Sequence, residues 1–119
     1  MSKVTPIYRP HVATFGAGID KARPVAAVGV PCVILGVKSL DEQVAYELTR
    51  IWHQGYDLFK GGHVDLPDYT AENALLDIAL IPYHEASVKY FKDQGMWSPK
   101  QEEMQAEMVK AAIERERKK

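Results

Sequence analysis

Four histidines and one cysteine are the side chains in this sequence best suited to nucleophilic or metal chemistry. His11, His53, His63 and His84 are too scattered to pair with one another or with cysteine at zinc-like spacing, and no HExxH or CxxC is present. His63 with Asp65 and His84 with Glu85 come nearest to ligand pairs, but neighbours on a helix point apart. Metal and cofactor binding are therefore not expected. Cys32 stands in an apolar run, where a free thiol behaves as a small hydrophobe and its thiolate is disfavoured. It reads as an inert core residue. Gly16-Ala17-Gly18 resembles half of a phosphate loop, but no strand-to-helix unit follows with the third glycine. No nucleophile elbow and no glycosidase-type carboxylate pair can be singled out. The sequence points away from an enzyme and toward a protein that acts by binding.

The segment IPYHEASVKYFKDQGMW, residues 81–97, carries more information. A proline breaks the chain into a short helix, aromatic residues stand on two sides of it, and a glycine stops it. Tyr83, Tyr90 and Trp97 combine large apolar bodies with polar tips, a composition that suits a pocket rim, an interface or a core.

The elements that must position these residues follow from patterning. The chain has 119 residues, with 46% hydrophobic and 26% charged, as for one ordinary globular domain. Residues 1–23 read as an extended arm with a short strand near Val12–Phe15, residues 24–97 as the α/β core, and residues 98–119 as a terminal helix. PVAAVGVPCVILGVKS, residues 24–39, is nearly unbroken β-forming sequence, which suits strands buried on both faces, and Gly29 and Pro31 divide it in two. Ser39 and Glu42 fit a capping box for a first helix. Val44, Leu48, Ile51, Trp52 and Phe59 recur along it as one apolar stripe expected to face the core, and Gly61-Gly62 ends it. A short helix is expected from Ala71 to about Ala79, another from about His84 to Gln94, and a last one opening at Ser98-Pro99 with Gln101 closing the cap. That last helix has a thin apolar stripe, which suits light docking or a partner chain. The expected fold is α/β, a short buried sheet with about four helices.

Charge is uneven along the chain. Residues 1–39 hold five basic residues against one acidic, and residues 40–99 hold four against ten. No basic face with interleaved aromatics appears, so nucleic acid is not an expected partner. No apolar run approaches a membrane span, and Pro6, Arg9, Pro10 and His11 interrupt any secretory-signal pattern. As written the chain reads as cytoplasmic, or as periplasmic if a leader lies outside the sequence.

Residues 81–97 resemble the C-terminal signature of the TAXI-type solute receptors of TRAP transporters. That signature runs proline, histidine, small residues, a tyrosine-rich stretch and glycine, and Pro82, His84, Tyr90 and Gly95 match it. Glu85, Ala86 and Ser87 stand where the family usually has Pro-Gly-Ala. Upstream, residues 25–55 are similar to the family's strand, its valine-proline-apolar segment and its following helix, with Val30, Pro31, Tyr46, Leu48 and Thr49 in place. ENALLDIA, residues 72–79, sits where the family has another short helix. The resemblance covers residues 25–97 and implies part of a type II periplasmic-binding-protein lobe. It also implies a two-lobed receptor that closes on a small organic acid or amino acid, of which this sequence matches the C-terminal part.

Such a ligand needs cations or imidazoles for its anionic group and tyrosines for its apolar body. Tyr8, Arg9, Arg23, Tyr83, His84 and Lys89 are the candidates, in a pocket that a second copy could complete. The alternative is a small interaction subunit, forming a homo-oligomer or docking on a larger protein, since strands without their usual neighbours expose edges.

Overall fold

A computed structural model of the chain describes residues 8–14, 16, 18–63, 66–76 and 81–118. The expected β-forming run yields one strand rather than two. β1 (Arg9–Ala13) and β2 (Val25–Gly29) form a two-stranded antiparallel sheet, in register from Arg9 opposite Gly29 to Ala13 opposite Val25. Between the strands, Asp20 accepts backbone N–H bonds from Ala22 and Arg23 and an ion pair from the Arg23 guanidinium, closing a tight turn. Phe15, at the edge of the expected first strand, lies outside the described residues.

Among the described residues the fold is mixed α/β with a short sheet and four helices, as expected. The sheet is not buried, however. Val12, Val25 and Val28 are exposed, and so are Val30, Val33, Ile34, Leu35 and Val37 in the segment that forms no second strand. Cys32 is exposed too, correcting its reading as a core residue. A strand buried on both faces needs strand partners and a layer on each side. Here the helices pack mainly on one another instead.

α1 (Glu42–Gln54) starts two residues later than its expected cap. Asp41, not Ser39, is the N-cap, its carboxylate accepting from the N–H groups of Gln43 and Val44. The helix stops at Gly55, well before Gly61-Gly62, and a single-turn α2 (Tyr56–Phe59) follows. The expected helix from Ala71 is a 3-10 turn at Glu72–Ala74, and its continuation over 77–80 lies outside the described residues. α3 (Glu85–Asp93) begins after Pro82 and ends before Gly95, whose φ of 68° is left-handed backbone that a side chain would strain. α4 (Pro99–Arg117) opens as expected, with Ser98 and Gln101 forming a reciprocal capping box and proline in the first turn.

The core is small and helical: Ala45 on α1, Ala86, Tyr90 and Phe91 on α3, and Met108 on α4. α1 therefore buries the face beside the one its apolar stripe marks. Val44, Leu48 and Ile51 face outward, with Trp52 partly exposed against Phe59 and Tyr69. The inward face reads Ala45, Thr49, His53, a small and polar row at four-residue spacing. Alanine permits the close approach of α3, and the polar groups are then satisfied across the contact.

Candidate functional site

The α1–α3 contact is a stack of polar pairs around Tyr90. Thr49 Oγ1 donates to the Ala45 carbonyl at 2.8 Å, so the Ser87 hydroxyl, 2.8 Å away, donates to Thr49. One turn on, His53 Nδ1 lies 2.8 Å from the Tyr90 hydroxyl, on a side chain with no exposed surface. Tyr46 donates to Asp93 Oδ2 at 2.9 Å, and that carboxylate holds the Tyr46 phenol above its usual titration range. A buried hydroxyl without a partner costs about 1–3 kcal/mol, so the bond to His53 of the fully buried Tyr90 helps to fix the register of the two helices. Tyr46, His53 and Phe91 surround Tyr90 edge-on.

α4 is tied to the start of α3 through Tyr83. Gln105 Nε2 donates to the Tyr83 carbonyl and its Oε1 accepts from the Tyr83 N–H, both at 2.9 Å. The Tyr83 hydroxyl accepts from the Leu76 N–H at 3.0 Å, and the ring meets Phe91 and Trp97 edge-on. Burial pushes the Tyr83 phenol up, partly offset by the Leu76 N–H. Glu102 takes an ion pair from Lys92 at 2.9 Å and a hydrogen bond from the Trp97 indole, and these hold its carboxyl below the usual range.

The six ligand candidates fall into two groups. Tyr8 is exposed just before β1, Arg9 opens β1, and Arg23 sits in the hairpin turn, paired with Asp20. Tyr83, His84 and Lys89 lie at the start and along the outer side of α3. His84 caps that helix, its Nδ1 accepting from the Ala86 N–H at 3.2 Å, and Lys89 is exposed. None of these contacts joins one group to the other. Two open grooves mark the described surface, about 530 Å³ along α4 from Glu102 to Arg117 and about 310 Å³ along α1 from Asp41 to Ile51. Tyr8, Arg23, Tyr83, His84 and Lys89 line neither. Among the described residues no cluster of histidine, cysteine or carboxylate could hold a metal ion, and no helix is long and apolar enough to cross a membrane.

The residues of the 81–97 signature turn out to be architectural. Pro82 precedes the helix, His84 caps it, Tyr90 is its buried centre and Gly95 ends it. Together they build and bound α3. The model of the NMT1-like family matches residues 1–95. The chain belongs to the NMT1-like family. No curated protein and no solved structure matches it. The NMT1-like family is a binding-protein family of the periplasmic type. The match ends at Gly95, so α4 lies beyond the family segment, although its Met108 is part of the core and its Gln105 bonds to the Tyr83 backbone. Patterning missed His53, Thr49, Ser87 and Gln105. The signal for the first two was present as the Ala45-Thr49-His53 spacing, but the apolar stripe beside it was stronger.

Proposed function

We propose that the chain is a non-enzymatic solute-binding protein of the TAXI type, related to the C-terminal part of a TRAP transporter receptor. Its ligand is a small organic acid or amino acid. The family match over residues 1–95 carries this reading, and the signature residues Pro82, His84, Tyr90 and Gly95 support the finer assignment. Proteins of this type work outside the cytoplasm, on the periplasmic side. Tyr8, Arg9, Arg23, Tyr83, His84 and Lys89 are the proposed ligand residues. Arg9, Arg23 and Lys89 would supply the positive charge and Tyr8 the apolar contact. Tyr83 and His84 already have internal partners, so they would serve chiefly by holding the start of α3 in place.

Isothermal titration calorimetry with succinate, 2-oxoglutarate and glutamate tests this directly. Saturable binding of one of them, weakened roughly tenfold or more by Arg9→Ala or Arg23→Ala, is the expected result. Heats no greater than dilution for all three, at protein concentrations where the chain is folded, would remove the reading. A second reading, a small interaction subunit, is favoured by one observation: the exposed apolar side chains of residues 30–37 and of α1.

A further inference from the structure

Two imidazoles hold α3, and they differ in what their partners can do. His53 Nδ1, on α1, lies 2.8 Å from the Tyr90 hydroxyl. A phenol hydroxyl can donate or accept, so one bond survives whether that imidazole is neutral or charged. His84 is the N-cap, extended in backbone, and its Nδ1 accepts from the Ala86 N–H at 3.2 Å. A backbone N–H only donates. This bond therefore exists only while Nδ1 carries no proton, because an imidazolium has two N–H groups and no acceptor. A proton here would also set a positive charge at the positive end of the helix dipole.

We propose that His84 is a pH-sensitive latch: neutral, it caps the first turn of α3, and protonated, it releases that turn and loosens the tie between α3 and α4. The tie passes through the neighbouring residue. The Tyr83 N–H and carbonyl are bonded to the Gln105 side chain of α4, and the Tyr83 hydroxyl accepts from the Leu76 N–H. The charged and titratable groups nearby are engaged elsewhere or face solvent. On α3, Glu85 and Lys89 are exposed, and a carboxylate beside an imidazolium at the surface is only a weak pair. On α4, Gln105 is uncharged and Glu102 is taken by Lys92 and the Trp97 indole. On α1, Arg50 pairs with Glu47, Tyr46 with Asp93 and His53 with Tyr90. In the turn before Leu76, Glu72 is bonded by Thr70 and by its own backbone. Among the described residues no ion pair includes His84. The contribution of the cap is full above the range in which imidazoles protonate, roughly pH 5–8, and is lost as pH falls through it. The latch stands on this geometry and does not depend on the solute-binding reading.

Urea unfolding of the full chain at pH 8 and pH 5, with amide exchange at Ala86, tests the latch in wild type, His84→Asn and His84→Ser. Asparagine and serine are preferred N-caps whose side-chain oxygens accept at both pH values. The position is partly exposed, so both variants should fold, and circular dichroism at pH 8 checks that they do. From pH 8 to pH 5 the unfolding equilibrium constant of wild type should rise by roughly 2- to 30-fold more than that of either variant. Protection of the Ala86 N–H, corrected for its intrinsic exchange rate, should fall over the same range in wild type alone. Equal rises in wild type and both variants would overturn the proposal, because the acid sensitivity would then belong to other groups. So would an Ala86 N–H equally protected at both pH values in wild type, because the cap would then survive protonation.

Discussion

Residues 25–37 are far richer in apolar side chains than residues 81–108, yet it is the second region that is buried. Residues 25–37 are almost continuously β-forming, yet beyond the five residues of β2 they pair with nothing described and stay exposed. Residues 81–108 are interrupted by proline, glycine and charge, yet contain Tyr90, Phe91 and Met108, which with Ala45 of α1 make the core. The difference lies in where each finds its partners. A helix satisfies its own backbone and needs one neighbour to cover one face. A strand needs hydrogen-bonding neighbours at its edges and cover on both faces, so it depends on contacts distant in sequence. The helical half supplies its own contacts through Tyr90–His53, Thr49–Ser87 and Gln105–Tyr83. The apolar segment does not.

Substitutions can break this contrast. Tyr90→Ala removes the fully buried centre of the helical half and leaves His53 Nδ1 without its partner, so urea unfolding should show a loss of about 3–5 kcal/mol. A much smaller loss would mean that the core lies elsewhere. A lesser effect is expected at the α3–α4 corner. Glu102 has its folded-state pKa lowered by Lys92 and then Trp97, so its contribution is present above its ordinary value of 4.5 and is lost as pH falls through the lower folded value. Glu102→Gln should therefore abolish part of the acid sensitivity of unfolding below pH 4.5, and should be nearly silent if the corner is formed by Gln105 alone. The smallest effect belongs to the apolar segment. In dilute protein, Ile34→Ser should change stability by no more than about 0.5 kcal/mol, because the side chain is exposed. A loss of several kcal/mol would place Ile34 in a core and dissolve the comparison.

The same contrast sets how much could be read in the sequence. α4 was legible nearly to the residue, since Ser98, Pro99 and Gln101 fix its start through local chemistry. α3 was legible for the same reason, bounded by Pro82 and Gly95. The first helix was legible in existence, but not in its cap or its buried face. Asp41 competes with Ser39 for the same role, and the apolar stripe of Val44, Leu48 and Ile51 outweighs the quieter row of Ala45, Thr49 and His53. The sheet was the least legible. Residues 24–39 announce burial on both faces, a property that their composition states but their neighbours must deliver. The candidate site shares that weakness: Arg9 and Arg23 on the hairpin and Tyr83, His84 and Lys89 at α3 were chosen for their chemistry, and no contact among the described residues joins the two groups.

Hydrogen exchange followed by mass spectrometry, at two protein concentrations, tests the central claim most directly. The account predicts slow exchange across residues 42–54, 85–93 and the first turns of α4 at both concentrations. Residues 30–37 should exchange fast at both. Protection of 30–37 equal to that of α3 in the dilute monomer would contradict it, because the apolar segment would then be part of the same self-sufficient core.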